Sequence, residues 1–174
     1  MRKILLFVLV IATIISCTSL KKELQSKERY DRLSKGFSIE KLPNWTFHGF
    51  HDIFNLTPND LMVKGKDYIR NYVSVYKYRK PTDSPLDSIA KNHFKSMFDT
   101  EISDLKKYAA QTEYGKSVVI TYKATHGNYK YACVRQYYKL KDHVYQLNYV
   151  AEQQYFDTYY DEAIAMMKTF KITE

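Results

Sequence analysis

Several residue types on which catalytic and cofactor sites depend are scarce in this sequence of 174 residues, which contains five glycines, four prolines and two cysteines. The glycines are isolated from one another, so no glycine-rich loop is available to cradle a phosphate group. No serine lies in a Gly-x-Ser-x-Gly context, and no pair of acidic residues stands out as a general acid and base. The sequence therefore predicts a protein that is not an enzyme and has no catalytic residue and no cofactor.

The N-terminal apolar run is too short to be a comfortable membrane-spanning helix. It covers residues 4–15 and follows the cationic residues Arg2 and Lys3, whereas a spanning helix needs about 20 apolar residues. A short apolar run behind positive charge is typical of a cleaved export signal. The run closes with Ile14-Ile15-Ser16-Cys17, a stretch that resembles the lipobox of bacterial lipoproteins.

The lipobox resemblance implies cleavage between Ser16 and Cys17 and the attachment of acyl chains such as palmitate to Cys17. Several acyl chains hold a protein firmly at a membrane, because each buried methylene contributes about 0.8 kcal/mol. Thr18 is not the aspartate that marks retention in the inner membrane, which favours the periplasmic face of the outer membrane. The alternative is that Cys17 is an ordinary cysteine behind a plain signal peptide.

Export and lipidation restrict the partners and the chemistry of the mature chain. With Cys17 lipidated, Cys133 has no partner for an internal disulfide, and we expect it to be buried as a small apolar group. Losing Arg2 and Lys3 with the signal lowers the net charge of the chain from +8 to +6. The lysines are dispersed and the protein is exported, so no nucleic acid is expected. The expected partners are membrane lipid, through Cys17, and an envelope protein.

The hydrophobic pattern predicts an export signal, a tether and one folded domain. Residues 1–16 form the signal peptide, and residues 17–35 form the lipidated cysteine and a polar tether with transient helix at most. Residues 36–174 form the domain, in which residues 48–66 carry turn signals and are interpreted as an ordered loop or insertion.

Within the domain, alternating segments predict an antiparallel sheet and helical spacing predicts helices packed on it, which is the α+β class. The tyrosines of a strand over residues 68–78 either line a groove or pack beneath a helix. The other predicted elements are helices over residues 86–97 and 156–170 and strands over residues 105–110, 116–124, 129–140 and 144–151.

Short connections at residues 125–128 and 141–143 predict hairpins between the last three of these strands. With those connections, one face of the sheet is the more apolar and is covered by the C-terminal helix. The residues expected on this face include Val118, Cys133, Tyr137, Leu147 and Tyr149.

Two segments resemble the PsbP/Mog1/DcrB-like superfamily. The opening Phe37-Ser38-Ile39 and Pro43-Asn44-Trp45 resembles the start of that family, and Tyr145-Gln146-Leu147-Asn148-Tyr149 with Phe170-Lys171-Ile172 resembles its closing segment. The resemblance extends over roughly residues 36–172. It implies a central antiparallel sheet flanked by helices, an α-β-α sandwich. Family members are diverse adaptors, so the resemblance also implies a non-catalytic role and transfers no functional residues.

His48, His51 and Asp52 come nearest to a metal-binding cluster. Two imidazoles and a carboxylate can bind zinc, but a His-x-x-His spacing on a loop does not ensure that the side chains converge. We therefore predict surface histidines here and no resident metal. Of the remaining histidines, His93 is expected in the core, on the apolar face of a helix. His126 and His143 are expected in hairpin turns that face solvent.

The sequence thus favours a membrane-anchored envelope lipoprotein that acts as a non-catalytic interaction or assembly module. One alternative is a small-ligand carrier with a cleft between the sheet and residues 48–66. The other is a metal-dependent hydrolase centred on His48, His51 and Asp52.

Overall fold

The structure is a computed structural model that describes residues 24–49, 53–61, 71–78, 82–95 and 100–173. The chain divides into two units, Met1–Lys35 and Gly36–Glu174. In the described part of the first unit, residues 24–33 form helix α1, and the amide of Ser34 donates to the carbonyl of Tyr30 at its end, 2.9 Å away. None of the described helices combines the length and the apolar character that crossing a membrane requires.

In its described residues, the second unit contains a seven-stranded antiparallel sheet and a separate two-stranded one, so the predicted α+β class is confirmed. The spatial order of the large sheet is β2-β3-β4-β8-β7-β6-β5, and β1 pairs with β9. The strands are β1 (Phe37–Ser38), β2 (Trp45–Phe47), β3 (Phe54–Pro58), β4 (Tyr72–Lys77), β5 (Glu101–Thr112), β6 (Gly115–His126), β7 (Tyr129–Leu140), β8 (His143–Glu152) and β9 (Lys171–Ile172).

Helices α2 (Leu86–Lys95) and α3 (Gln153–Lys168) pack on opposite faces of the large sheet. Helix α3 buries Tyr159, Ala163, Met166 and Met167, which recur at helical spacing and form one apolar stripe. It lies against β8, β7 and β4. Helix α2 places Ala90 on the other face, over β6 and β7. We call the two sides of the sheet the α3 face and the α2 face.

The core of the α3 face is aromatic and closely packed. Trp45 is completely buried, and its indole nitrogen donates to Oε2 of Glu162 at 2.7 Å. The Tyr149 ring stacks on Phe156 with 4.9 Å between centroids, and its hydroxyl donates to the Phe156 carbonyl at 2.7 Å. These contacts fix α3 to β8 and to the start of the domain.

Two predictions about the sheet are wrong. The segment predicted as an insertion, residues 48–66, contains β3, which pairs with both β2 and β4 and belongs to the sheet itself. The second wrong prediction concerns β8. Tyr149 pairs with Val134 and with Val73, and paired residues share a face, so Tyr149 and Leu147 lie on the α3 face. They do not share a face with Cys133 as predicted, since β7 and β8 join through the two-residue turn Lys141-Asp142.

Several other predictions match the structure. Cys133 is buried with 3% of its surface exposed, as expected for a structural thiol. The predicted helix over residues 86–97 is present as α2, and residues 96–97 lie outside the described part of the chain. In the predicted strand over residues 68–78, β4 occupies Tyr72–Lys77, and residues 68–70 lie outside the described part.

Candidate functional site

A concave surface lies on the α3 face between α3 and the outer strands. Helix α3 covers β8, β7 and β4 and leaves the β5–β6 side of that face open. The result is a groove of about 440 Å³, which we call the aromatic groove. Its lining consists of Tyr108, Ala110, Thr112, Glu113, Tyr114, Val119, Val134, Gln136, Tyr138, Tyr160, Ile164, Met167, Lys168 and Phe170.

Strand alternation and register bring five aromatic side chains to this groove. Tyr108 pairs with Val119, and Val119 pairs with Gln136, so all three side chains point to the α3 face. Tyr138 lies two residues further along β7 and contacts Phe170, with ring centroids 5.3 Å apart. Tyr114 meets Tyr138 edge-to-face at 6.2 Å. Tyr160 projects from α3 and completes the aromatic lining.

Two of the exposed residues that line the groove are tyrosines, Tyr108 and Tyr160, which are 52% and 38% exposed. Partial burial raises the pKa of Tyr108, and the neighbouring Tyr160 raises it further. The Tyr108 phenol is consequently protonated at neutral pH and available as a hydrogen-bond donor. Exposed aromatic rings with polar tips are common at binding surfaces.

The aromatic groove has the chemistry of a binding surface. Glu113 and Lys168 provide its charges, and the described residues that line it include no histidine and no cysteine. Nucleophilic catalysis requires a nucleophile within reach of a base, and the described lining provides no such pair. This surface can hold apolar groups and position a charged group beside Lys168.

A second polar cluster lies beneath α2 and is centred on Arg135. Its Nε donates to the hydroxyl of Tyr122 at 2.6 Å, and its guanidinium lies 5.5 Å from the Tyr122 ring centroid. Nη1 contacts Nε2 of His93. Within the described residues, Arg135 has no carboxylate partner. A partly buried cation is thus held by aromatic, hydroxyl and imidazole groups.

The titratable groups around Arg135 are shifted towards their neutral forms. Burial lowers the pKa of His93 to about 4, and the adjacent Arg135 charge acts in the same direction. The imidazole is therefore neutral at physiological pH and can accept a hydrogen bond from Arg135. Burial also raises the pKa of Cys133, so its thiol is a poor nucleophile. The nearby Tyr137 hydroxyl is buried without a well-aligned hydrogen bond in the described structure, and Arg135 beside it opposes the rise in pKa that its burial causes.

The predicted site residues are distributed differently. Cys17, His51 and Asp52 lie outside the described residues. His48 is half-buried and its amide donates to the carbonyl of Asn55 in β3 at 2.8 Å. Among the residues that the structure describes, no three metal-ligand side chains converge. The zinc hypothesis for His48, His51 and Asp52 stays a prediction.

The other predicted residues are mostly structural. His126 is exposed, as expected, whereas His143 is half-buried at the start of β8, with Nε2 3.7 Å from Asp142. Tyr72 packs beneath α2 against the cluster that contains Ala90. Of the two predicted roles for this tyrosine, it therefore has the one of packing beneath a helix. Tyr76 and Tyr78 contact each other at 5.2 Å.

The sequence pattern missed both the aromatic groove and Arg135. Arg135 could have been noticed, because it lies between Cys133 and Tyr137 on one face of a strand whose neighbours on that face are apolar. The groove had no comparable signal in the sequence. The groove exists because α3 packs on the half of the sheet that does not contain Tyr108.

Comparisons with known proteins give a fold and no closer relationship. No protein-family model matches the chain, and no curated protein matches it. Among solved structures, LpqN of Mycobacterium tuberculosis, described as involved in cell envelope biogenesis, has a TM-score of 0.56 at 11% identity, over 79% of this chain and 83% of that one. Cyanobacterial PsbP (CyanoP) from Synechocystis sp. PCC 6803 has a TM-score of 0.49 at 13% identity, over 75% and 94%.

The class that these observations define is an α+β domain with helices on both faces of an antiparallel sheet. More narrowly, the chain shares the fold of LpqN. At such low identity the likeness concerns the fold alone and transfers no site and no activity.

Proposed function

We propose that this protein is a lipid-anchored lipoprotein of the cell envelope, held by acylated Cys17 at the periplasmic face of the outer membrane. In this proposal, the domain that starts at Gly36 is a non-catalytic interaction or assembly module. The lipobox-like end of the export signal and the fold shared with LpqN, an envelope-biogenesis protein, support this assignment.

The aromatic groove is the observation that carries the interaction role. It is concave, it exposes Tyr108 and Tyr160, and its described lining offers hydrogen-bond donors and charge without a nucleophile–base pair. A few residues commonly contribute most of the binding energy of an interface, and tyrosines are enriched among them. We therefore assign partner binding to this surface.

Anchoring is tested with Cys17→Ser, compared with the matched variant Cys133→Ser. We expect wild type and Cys133→Ser to incorporate a labelled palmitate analogue and to fractionate with outer membranes. Cys17→Ser should lose the label and leave the membrane fraction. Equal labelling of wild type and Cys17→Ser, or unprocessed Met1 in the intact mass of the wild-type protein, would refute the anchor.

The interaction role is tested by placing a photocrosslinking amino acid at Tyr160 in intact cells, with Tyr129 as the matched control. Tyr129 is also an exposed tyrosine, 41% exposed, but it lies on β7 away from the groove. A discrete envelope-protein adduct at position 160 and none at position 129 is expected. Indistinguishable adduct patterns at the two positions would contradict a groove-specific partner.

A second candidate function is the binding of a small ligand in the same groove. Its volume of about 440 Å³ falls in the range of about 300–1,000 Å³ that is usual for ligand sites. The predicted cleft between the sheet and residues 48–66 is a poorer candidate, because the described part of these residues includes β3, which is a strand of the sheet itself. Native mass spectrometry of the purified full chain distinguishes the two: a carrier retains a small molecule that Tyr108→Ala releases.

A further inference from the structure

Strand β5 is a long and open edge of the sheet. It has 12 residues, of which most are exposed, and within the described structure it pairs only with β6. Leu105 and Tyr108 on this strand are 56% and 52% exposed. An unpaired edge presents a row of backbone donors and acceptors to any extended chain that approaches it.

A bulge limits the usable part of this edge. The β5–β6 register shifts between Ser103 and Lys106, and Asp104 in the bulge has a positive φ of 53°. Such bulges bend and twist an edge and so prevent pairing across them. From Lys106 to Thr112 the register is continuous. Residues 106–112, which we call the regular edge, are therefore the part that can accept another strand.

The regular edge adjoins the aromatic groove. Side chains alternate along a strand, so Lys106, Tyr108 and Ala110 all point to the α3 face. Tyr108 and Ala110 line the groove, and Lys168 lies on the opposite wall. A strand added to this edge would direct every second side chain towards the groove. Backbone pairing and side-chain recognition are thus available at one place.

The charge of the edge selects the type of occupant. Lys107 forms an ion pair with Asp87 at 3.1 Å. Among the described residues, Lys106 and Lys168 form no close ion pair; the Lys106 charge helps to lower the pKa of Asp104, but that carboxylate is paired with Lys123 at 2.7 Å. Antiparallel pairing with a second copy of the regular edge would place Lys106 opposite Thr112 and Lys107 opposite Gln111, so a second copy offers no carboxylate to meet Lys106. Opposite charges that face each other across a strand pair stabilise it. The edge therefore favours a segment that carries carboxylates over a second copy of this chain.

We propose that the regular edge of β5 binds an extended acidic peptide segment of a partner protein as an eighth strand of the sheet. One carboxylate of the segment lies beside Lys106, and an apolar or aromatic side chain enters the aromatic groove next to Tyr108. Main-chain hydrogen bonds supply affinity in this mode of recognition, and pockets for alternate side chains supply specificity. This inference rests on the proposed interaction role and defines the partner's chemistry.

The probe is a displayed library of random twelve-residue peptides, selected on the purified full chain. We expect enrichment of peptides in which an acidic residue and an apolar residue stand two positions apart, so that both side chains lie on one face of the added strand. Synthetic copies should lose binding about tenfold or more with Lys106→Glu or with Tyr108→Ala, which corresponds to about 1.4 kcal/mol. The matched variants Lys130→Glu and Tyr129→Ala alter an exposed lysine and an exposed tyrosine of β7 and should bind within about twofold of wild type.

Strand addition has its own readout. Methylating alternate backbone nitrogens of a selected peptide removes its hydrogen-bond donors, and one of the two possible methylation frames should abolish binding while the other leaves it measurable. Amide hydrogen exchange should slow within residues 106–112 when the peptide is bound. A library that yields no enriched peptide, or peptides that bind equally to wild type and Lys106→Glu, would overturn the proposal.

The two proposals fail in different ways. If the groove contacts a partner without strand addition, the crosslink at position 160 persists while exchange in residues 106–112 is unchanged. If no partner uses the groove in cells, the crosslink is absent even when acidic peptides bind the edge of the purified chain.

Discussion

The neutral His93 beneath α2 makes the stability of the domain depend on pH in a specific range. Its imidazole is half-buried against Arg135, and burial with that charge lowers the pKa of His93 from 6.5 to about 4. In the unfolded chain the pKa returns to about 6.5. Between these two values the unfolded state binds a proton that the folded state does not, so stability falls as the pH falls.

The size of the effect follows from linkage. Each pH unit within this window changes the free energy of unfolding by about 1.4 kcal/mol. The contribution of His93 is fully present above pH of about 6.5, is about 2 kcal/mol smaller at pH 5, and levels off near pH 4 after a total loss of about 3 kcal/mol. These are upper values, because solvent near a half-buried ring weakens the shift.

The assay is urea unfolding at pH 7.5, 6 and 5, followed by the fluorescence of Trp45, which is the only tryptophan and is buried. His93→Gln keeps a carbonyl acceptor for Arg135 but cannot be protonated. We expect wild type to lose about 2 kcal/mol more than His93→Gln between pH 7.5 and 5. The control His126→Gln changes an exposed histidine and should retain the wild-type dependence. Parallel pH dependence in wild type and His93→Gln would refute the reasoning.

Three further predictions concern buried groups and one turn. Tyr149→Phe loses a 2.7 Å hydrogen bond and should destabilise the domain by about 1 kcal/mol, whereas Tyr137→Phe removes a buried hydroxyl that lies beside Arg135 without a well-aligned hydrogen bond and should cost clearly less; urea unfolding that gives Tyr137→Phe the larger loss would contradict this. Lys141 has a φ of 56°, so Lys141→Gly should raise the unfolding free energy by about 0.5 kcal/mol, and a loss of stability would count against strain there. Cys133 should react with a thiol reagent only after denaturation, because it is buried with a raised pKa; fast labelling of the native chain would disprove its burial.

The two hairpins show which parts of the sheet the sequence could predict. The predicted connection between β6 and β7 has four residues, whereas the actual turn is Gly127-Asn128, with His126 paired to Tyr129. That error shifts the register by two residues, so Val118 and Tyr137 still share a face as predicted. A shift of two preserves the alternation of side chains along a strand.

The hairpin between β7 and β8 differs by a single residue, with a much larger consequence. The predicted connection is 141–143, but Leu140 pairs with His143 across a two-residue turn. Tight turns of this kind need positive φ, which Lys141 adopts and which its identity did not suggest. A shift of one residue exchanges the faces of β8. The C-terminal helix therefore covers Leu147 and Tyr149 of β8, as predicted, but on β6 and β7 it covers the face opposite to the predicted one.

The sequence by itself determined the features that depend on local pattern: the order of most strands, the two amphipathic helices of the domain, the burial of Cys133 and the α+β class. Periodicity and capping act over a few residues, so they are readable without the fold. Only the tertiary structure decided which face each helix covers, that Arg135 lies beneath α2, and that β5 remains open beside the aromatic groove. These depend on pairing between segments far apart in the chain, where one residue of register changes every contact.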